Sequence, residues 1–481
     1  MEDKKLTFFG GSGISFIPIL AFVVTAIFIA VTMEEVTIQA MWVGILIGII
    51  LTFFFAKDKE LYGETIIKGM SARVALVPVA AWIFAGIFAT VLRSSGMVDG
   101  ILWISVNTGA TGTGFVIVTF IACAIFATAA GTGFGTIAAG MGVLYPAGVL
   151  LGAHPMLLAG AIISGGVFGD NLAAISDTTI SSAASQETDV GGVVKSRVKY
   201  AAVSGAVSIL IMIILGFMFK GSVESVPYEL LADEMNPMGL VMFIPAIITI
   251  YFAVKTGNII YSLILGIALS IFFALLSGLN TFAGIFSVSD GAILSGVSGW
   301  MADLSILVIL LSAGIHIMLD GGGSEALVAF GRRIVKKSVF GFELTTALLE
   351  LVFSALMSIN APAILAVGLS FTKPLGEKLQ LHPYRRANLL DAFACTLVYT
   401  LPWSAGVLFA SGLSKSASEM FEGVPYLSPL TITPWVIYAW VLLVVMFVAV
   451  FTGWGRRYVG PNGEPTKEKP DLDKIFAEEL Q

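Results

Sequence analysis

Charged residues are scarce in this sequence, and their scarcity excludes most soluble folds. Only 12% of the 481 residues are Asp, Glu, Lys or Arg, whereas an ordinary soluble protein has about 25%. Hydrophobic residues make up 57% of the chain, and the mean hydropathy is +0.94. A soluble core does not hide so much apolar surface. The composition therefore indicates a polytopic membrane protein, in which each span needs about 20 apolar residues.

Cysteine, basic clusters and catalytic motifs are also scarce. The two cysteines, Cys123 and Cys395, lie in separate apolar runs, which argues against a disulfide framework or a cysteine metal site. The net charge is −6 and there is no basic patch, so nucleic acid is not an expected partner. HExxH, GxSxG and P-loop patterns are absent from the sequence. We therefore expect neither an enzyme nor a bound cofactor.

Long apolar runs dominate what remains. The first, ISFIPILAFVVTAIFIAVT, is too long for the core of a signal peptide, so we expect a retained span. The sequence predicts an all-α fold with about 10–14 membrane segments. Some runs are short or interrupted by glycine, so re-entrant hairpins and broken helices are alternatives to full spans. The apolar runs lie at about 13–32, 39–56, 75–93, 112–131, 133–151, 155–180, 200–219, 238–254, 258–277, 303–319, 339–358, 360–373, 387–411 and 432–452.

The distribution of Lys and Arg predicts the orientation, because basic loops stay in the cytoplasm. Placing the four basic loops there puts both termini in the cytoplasm of a multi-pass protein of the cell membrane. The segments 94–111 and 278–302 contain no Lys or Arg and are expected on the other side. The basic residues are Lys57, Lys59, Lys68 and Arg73; Lys195, Arg197 and Lys199; Arg332, Arg333, Lys336 and Lys337; and Lys373, Lys378, Arg385 and Arg386.

The two halves of the chain resemble each other at a constant shift of 228 residues. PAGVLLGAHPMLLA (146–159) aligns with PLGEKLQLHPYRRA (374–387), and AGI recurs at 85–87 and 313–315. We therefore predict two repeats, at 1–227 and 228–456, followed by a cytoplasmic tail at 457–481.

An odd number of crossings separates each element from its copy, so the repeats are expected to have inverted topology. This holds whether 112–151 and 339–373 are full spans or hairpins, and the charges do not decide between these alternatives. Inverted repeats are typical of secondary transporters, which place their sites at helix breaks near the middle of the membrane. A channel needs no such symmetry and is the less favoured class.

One pair of helix breaks is predicted in corresponding stretches of the two halves, one rich in glycine and the other containing proline. Thr132 and Thr136 lie among glycines in ATAAGTGFGTIAAGMG, and Asn360 lies beside Pro362 in the corresponding ALMSINAPAILAVG. Glycine and proline free backbone carbonyls from helical hydrogen bonds, and such oxygens suit a hard cation such as Na⁺. A packing face of small residues is the structural alternative.

The second pair of breaks is FGDNLAAISDTTISSA (168–183) and TLVYTLPWSAG (396–406). Ser176 corresponds to Ser404 at the same shift, and two aspartates, Asp170 and Asp177, flank the first break. Carboxylates at membrane depth are costly, so they tend to be paired or functional. Two more acidic residues, Glu350 and Asp391, lie in apolar runs of the second half, where Asp391 is either functional or paired with Arg385 or Arg386.

A carboxylate that binds either H⁺ or Na⁺ exchanges one for the other by competition, because desolvation makes it hold a proton near neutral pH. This is the simplest antiport mechanism for these residues. A helix cap or an ion pair is the structural alternative for Asp170 and Asp177.

The stretch GDNLAAISDTT (169–179) resembles the signature of the NhaC family of Na⁺/H⁺ antiporters, roughly G-D-K-x-S-P-L-S-D-T-T. The resemblance implies a secondary transporter with inverted repeats, hairpins and broken helices. It also implies a cation site lined by Asp170, Ser176, Asp177 and Thr178, with Na⁺ bound by the two aspartates. The sequence departs from the signature at Asn171, where Lys is expected, and at Ala173 and Ala174, where Ser-Pro is expected.

These departures leave two functions open. The first is Na⁺/H⁺ antiport, with Asp170, Asn171, Ser176, Asp177, Thr178, Glu350 and Asp391 as cation- and proton-binding residues. The second is Na⁺- or H⁺-coupled transport of an amino acid or organic acid, with a solute site formed from Thr132, Thr136, Asn360, Thr400, Trp403 and Ser404. The expected partners are the bilayer, Na⁺ and H⁺; a small organic solute and a homodimer are left open.

Overall fold

The structure is a computed structural model, and it describes most of the chain. The described residues are 5–32, 38–97, 99–100, 103, 107, 112–131, 133–174, 176–219, 236–256, 258–298, 300–323, 325–326, 329, 335, 338–358 and 360–470. Thr132 and the basic residues Arg332, Arg333, Lys336 and Lys337 of the sequence analysis lie outside these ranges.

The described chain is almost entirely helical, which confirms the all-α prediction. Backbone groups in a bilayer must bond within their own segment, and helices achieve this. The helices of the first half are α1 Ile17–Thr32, α2 Ile38–Phe55, α3 Lys59–Met70, α4 Arg73–Ser94, α5 Gly112–Ala130, α6 Gly133–Ala139, α7 Tyr145–Leu150, α8 Pro155–Leu172, α9 Asp177–Ser185 and α10 Val190–Met218.

The second half continues with twelve described α-helices and ends in a short β-hairpin. The helices are α11 Phe243–Thr256, α12 Ile259–Leu276, α13 Phe282–Phe286, α14 Ala292–Val297, α15 Trp300–Asp320, α16 Val339–Met357, α17 Asn360–Val367, α18 Lys373–Lys378, α19 Pro383–Leu397, α20 Ala405–Met420, α21 Pro429–Ile432 and α22 Ile437–Thr452. The strands are β1 Tyr458–Val459 and β2 Pro465–Thr466. The 3₁₀ segments are Ser12–Phe16, Pro237–Met242 and Thr433–Trp435, and the π-helical segments are Gly140–Leu144 and Gly368–Thr372.

Four helical stretches of the described chain are long and apolar enough to cross a membrane. They are Gly133–Leu150, Pro155–Ser185, Val190–Met218 and Val339–Met357. The bent pair Pro429–Trp435 and Ile437–Thr452 adds a fifth if it is one span. Shorter apolar helices of 10–17 residues occupy several of the other predicted runs.

The segments 112–151 and 339–378 each fold back on themselves as helical hairpins. In the first, the Gly112 amide donates to the Leu151 carbonyl at 3.1 Å, so the two ends of the segment lie together. In the second, the rings of Phe342 and Phe371, near its two ends, stack with centroids 5.9 Å apart. Each returning arm contains a π-helical turn, and the two turns are offset by the same 228 residues as the sequence repeat.

The two hairpins enter the protein from opposite ends of the span formed by α8 and α9. The first hairpin ends next to the start of α8. Lys373, at the base of the second hairpin, pairs with Glu187, just beyond the end of α9. This antiparallel arrangement agrees with the inverted topology expected from the sequence. The division into repeats at 1–227 and 228–456 stays a prediction.

Three of the basic residues assigned to cytoplasmic loops are buried instead. Arg197, Arg385 and Arg386 have at most 3% of their surface exposed. Arg385 forms a two-pronged ion pair with Glu343, with contacts of 2.8 and 3.1 Å, and Arg456 pairs with the same carboxylate at 2.6 Å. These arginines neutralise carboxylates within the protein, so they do not report on the sidedness of a loop.

Polar contacts join the loop that follows α9 to the first turn of α19. Tyr384 donates to Asp189 at 2.5 Å, and the Gly192 amide donates to the same carboxylate. These hydrogen bonds hold the pKa of Asp189 below its usual range. The β-hairpin at the start of the predicted tail docks nearby, where the His382 amide donates to the Arg457 carbonyl at 2.9 Å.

Small residues allow α5 and α8 to approach closely. A Cβ placed on Gly169 would lie 2.1 Å from Ala127 Cβ and 2.3 Å from the Thr128 amide nitrogen. A Cβ on Gly165, one turn earlier, would lie 2.5 Å from Cys123 Cβ. This is the small-residue packing that membrane helices use where their backbones touch.

Gly169→Ala is expected to destabilise the fold by about 1–3 kcal/mol, because the new methyl group overlaps backbone that has no room to move. The matched control is Gly63→Ala in α3, where a Cβ meets nothing within 4 Å. That change is expected to stabilise its helix by up to about 1 kcal/mol. Thermal unfolding of the purified variants in detergent measures both effects, and equal midpoints for the two variants would contradict this packing.

Candidate functional site

The candidate site lies at the break between α8 and α9. α8 ends at Leu172, and Ala173 and Ser176 have extended backbone conformations. Ser176 caps α9, because its Oγ accepts a hydrogen bond from the Thr178 amide at 3.3 Å. The span is therefore interrupted after Leu172, and the polar run that begins at Ser176 starts a second helix.

Asp170, in the last turn of α8, is the centre of the site. Its side chain is buried, with 2% exposed. Oδ1 accepts a hydrogen bond from Ser176 Oγ at 2.7 Å. Oδ2 accepts from the hydroxyl of Tyr399 at 2.9 Å and from Asn360 Nδ2 at 3.1 Å. These donors come from three separate parts of the chain, so the tertiary fold builds the site.

A second hydroxyl group completes this cluster. Thr178 Oγ1 lies 2.8 Å from Ser176 Oγ and 3.3 Å from the main-chain oxygen of Asp170. The cluster thus gathers carboxylate, hydroxyl and carbonyl oxygens, which are the ligands that hard cations prefer.

The tips of both hairpins meet at Asp170. Asn360 begins α17, directly after the tip of the second hairpin, where Ser358 has a left-handed backbone (φ 55°). The first hairpin brings Gly133 to the same place: a Cβ on Gly133 would lie 2.5 Å from the Tyr399 hydroxyl. Asp170 is also the middle residue of the 31-residue span Pro155–Ser185. Both hairpins therefore end near the middle of the span.

A second buried carboxylate, Asp391 on α19, lies beside this cluster. It forms an ion pair with Arg197 of α10, with Nη1 2.7 Å from Oδ2. Asn171 Nδ2 donates to Oδ1 at 3.1 Å, and Ser182 Oγ donates to Oδ2 at 3.3 Å. Both members of the ion pair are fully buried. The partner of Asp391 is therefore Arg197, and the predicted alternatives, Arg385 and Arg386, bind elsewhere.

Cys395 connects the two carboxylates. Its Sγ lies 3.6 Å from Asp391 Oδ1 and 4.0 Å from Asp170 Oδ2. The thiol is buried one turn after Asp391 on α19. The two carboxylates are therefore close together in the protein interior, where the Coulomb interaction between charges is strong.

The two carboxylates differ in charge compensation. The guanidinium of Arg197 neutralises Asp391. Within the described ranges, the hydrogen bonds to Asp170 come from neutral donors only. A buried carboxylate without a cation is costly, because water no longer solvates it. Asp170 is thus the group in this cluster that gains most from binding a proton or a metal cation.

Two other predicted ion-binding residues, Asp177 and Glu350, do not form hydrogen bonds with Asp170 in the described chain. Asp177 begins α9 with its side chain exposed, next to the capped break. Glu350 is buried in the middle of α16, where Ser354 donates to its Oε1 at 3.4 Å. Its Oε2 has no hydrogen-bond donor within the described part of the chain. Glu350 is therefore a second buried carboxyl group without a strong partner.

The predicted solute-binding residues are spread more widely than the sequence suggests. Among those that the structure describes, only Asn360 is hydrogen-bonded to Asp170. Thr400, just after the end of α19, donates to the Thr396 carbonyl in that helix, and Trp403 donates to the Ala355 carbonyl in the second hairpin. Ser404 precedes α20 without capping it through its side chain.

Thr136 lines a separate cavity between α4, the first hairpin, α11 and α12. The cavity has a volume of about 250 Å³ and a largely apolar lining that includes Phe88, Cys123 and Phe243. This apolar lining sets it apart from the polar cluster around Asp170.

Four residues that contact the two carboxylates were not predicted as site residues from the sequence: Tyr399, Arg197, Cys395 and Ser182. Tyr399 precedes the second break and corresponds to Asn171 at the 228-residue shift. Arg197 was assigned to a loop, although it is in phase with Val193, Ser204 and Ser208 on the buried face of α10. That spacing of about one helical turn was the available signal, because a residue in phase with small buried residues faces the protein.

Comparison with known proteins confirms the resemblance noted in the sequence. Residues 7–217 match the Na⁺/H⁺ antiporter family. The malate-2H⁺/Na⁺-lactate antiporter of Bacillus subtilis is 25% identical over 232 residues, or 47% of each chain. The chain thus spans about half the length of this relative. The arginine/ornithine antiporter ArcD of Halobacterium salinarum is 26% identical over 369 residues, covering 72% of this chain and 73% of the relative.

Among solved structures, the YdaH transporter of Alcanivorax borkumensis is similar with a TM-score of 0.42 and 15% identity. The similarity covers 91% of this chain and 99% of that transporter.

Ser176→Ala is expected to destabilise the protein by about 1–2 kcal/mol, because it removes both the helix cap and a hydrogen bond to Asp170. The matched control is Ser404→Ala. Ser404 precedes α20 at the corresponding position, but its buried Oγ makes no hydrogen bond within the described chain. Thermal unfolding in detergent measures both variants, and a loss for Ser404→Ala as large as that for Ser176→Ala would contradict the capping role.

Proposed function

We propose that this chain, which resembles the Na⁺/H⁺ antiporter family over its first half, is a secondary antiporter that exchanges Na⁺ for H⁺ at Asp170. The observation that carries the proposal is that the donors to the buried Asp170 carboxylate are all uncharged in the described chain. Asp170 is a buried carboxylate with neutral hydrogen-bond donors, at the point where a broken span and two hairpin tips meet. The family match and the antiporter relatives support the same class of function.

The oxygen atoms around Asp170 suit Na⁺. In the proposed cation-bound state, the Asp170 carboxylate and the hydroxyl oxygens of Ser176 and Thr178 bind the ion. The hydroxyl hydrogens then turn toward other acceptors, since hydroxyl groups rotate to donate or accept. In the proton-bound state, the carboxyl group is neutral and the Na⁺ site is lost. One carboxylate therefore binds either ion but not both, and exchange follows from competition.

The neighbouring acidic groups have supporting roles in this proposal. Asp177 lies exposed beside the break and attracts cations toward Asp170. Glu350 accepts a proton within α16, because its buried Oε2 has no other donor in the described chain. Asn171 donates to Asp391, which contacts Cys395, and these residues hold the neighbouring part of the site in place. The orientation with both termini in the cytoplasm, the location in the cell membrane and a homodimer are further parts of the proposal.

A Na⁺- or H⁺-coupled exchange of organic solutes is the second candidate. It is favoured by the names of the two relatives, which refer to malate, lactate, arginine and ornithine. In this case Asn360 and Trp403 contact the solute near the second hairpin. A larger solute also contacts the remaining predicted residues, which are Thr132, Thr136, Thr400 and Ser404. The coupling ion still binds at Asp170.

Asp170→Asn is expected to abolish Na⁺-driven proton movement in proteoliposomes, because the amide neither takes up a proton nor balances the charge of Na⁺. The readout is a pH-sensitive dye trapped in the vesicles, with an imposed Na⁺ gradient. Glu187→Gln is the matched control, since Glu187 is an exposed carboxylate outside the cluster. Normal Na⁺-driven proton movement in the Asp170→Asn variant would show that Asp170 is not the exchange site.

A solute screen separates the two candidates. A ligand that binds the folded state raises the unfolding midpoint, by about 2.7 kcal/mol of stability at a hundredfold excess over its dissociation constant. Na⁺ and Li⁺ are expected to stabilise the wild type and to have no effect on Asp170→Asn. Stabilisation by an amino acid or a carboxylic acid, strengthened by Na⁺, would instead favour the second candidate.

A further inference from the structure

We propose that Arg197 is a built-in cation of the site: it occupies the carboxylate of Asp391, keeps that carboxylate out of ion exchange, and fixes the helix break beside Asp170. Arg197 is thus a positioning residue, and the inference rests on the proposed function because it explains why Asp170, and not Asp391, carries the exchanged charge.

The contacts of Arg197 support this role. Its Nη1 donates to the main-chain oxygen of Asn171 at 2.5 Å and to Thr179 Oγ1 at 3.0 Å, and it lies 2.7 Å from Asp391 Oδ2 in an ion pair. Its Nε donates to Asn388 Oδ1 at 2.9 Å. The acceptors lie on α8, α9 and α19. One guanidinium therefore joins both sides of the first break to the helix that precedes the second break.

The bond to the Asn171 carbonyl is tied directly to the break. The last carbonyls of a helix lack partners within that helix. Because α8 ends at Leu172, the Asn171 carbonyl is one of these groups, and the guanidinium supplies its donor in the protein interior. Arg197 thereby stabilises the broken conformation that presents Asp170 to Ser176 and Thr178.

The charges around the pair explain why its state matters for Asp170. Arg197 neutralises Asp391, so Asp170 is close to a neutral pair and not to a free carboxylate. The ionisable groups that face Asp391 or Asp170 are Arg197 on α10, Asp177 on α9, Glu350 on α16, Cys395 and Tyr399 in and after α19, and Tyr438 on α22. Among these, only Arg197 is a cation.

The test is the pH at which the buried carboxyl groups titrate, followed by infrared absorption of protonated carboxyl groups in detergent-solubilised protein. Arg197→Gln removes the cation of a buried carboxylate, so Asp391 is expected to bind a proton itself and to add a second carboxyl band to the titration. Asp391→Asn leaves Arg197 unpaired and is expected to lower the midpoint assigned to Asp170 by about one unit. The double variant Arg197→Gln/Asp391→Asn removes both charges and is expected to restore the wild-type midpoint. The Asp170→Asn variant identifies the band.

A purely structural role for Arg197 gives a different pattern. It predicts lower unfolding midpoints with neither an added carboxyl band in Arg197→Gln nor a lowered midpoint in Asp391→Asn, and that result would overturn the inference. Arg197→Lys keeps the charge without the planar group, so it is expected to keep the wild-type titration midpoint and lose part of the maximal exchange rate. If Arg197→Gln does not fold, Asp391→Asn and the double variant still give the comparison, because removing both members of a buried pair is tolerated better than removing one.

The infrared titration does not depend on transport, so two failures are distinguishable. A wild type that exchanges no Na⁺ for H⁺, with variants that show the expected changes in titration, would refute the proposed function alone. A wild type that exchanges both ions, with variants that show none of these changes, would refute the role of Arg197 alone.

Discussion

The compensation of buried charge is the constraint on which the rest of this structure depends. A charged side chain inside a membrane protein needs a partner, because neither lipid nor the packed interior solvates it. Two of the buried carboxylates meet this need with arginine: Asp391 with Arg197, and Glu343 with Arg385. Asp170 meets it with neutral donors only, in the described chain. A buried carboxylate without a cation is one that a mobile cation or proton can neutralise, and Asp170 also has the hydroxyl oxygens of Ser176 and Thr178 beside it.

The helix breaks follow from the same constraint applied to the backbone. A break in a span exposes carbonyl and amide groups that need partners in the absence of water. At the first break these partners are side chains: Ser176 accepts from the Thr178 amide, and Arg197 donates to the Asn171 carbonyl. The groups that satisfy the backbone are therefore the same groups that surround Asp170. In the proposed mechanism, the same contacts stabilise the break and position the ion-binding groups.

The sequence predicts the local features of this site well, because they depend on short stretches of chain. The polar run at Asp170 in an apolar span indicates the break, and the 228-residue shift points to Asn360 in the corresponding hairpin. Partnerships across the fold are harder to predict. The pairing of Arg197 with Asp391 depends on how α10 packs against α19, and nothing near either residue in the sequence specifies it. Tyr399 likewise reaches Asp170 only through the crossing of the two broken spans. Thr136 shows the converse, since its polar, glycine-rich stretch lies against an apolar cavity.

The central claim is that Na⁺ and H⁺ compete for one carboxylate, Asp170. Proton release on Na⁺ binding tests this most directly, with purified protein in weakly buffered detergent solution and a pH indicator, near the titration midpoint. Competition predicts that Na⁺ releases protons and that this release disappears at high pH, where the carboxyl group is already ionised, while Na⁺ still binds. Na⁺ binding without proton release at any pH would contradict the account.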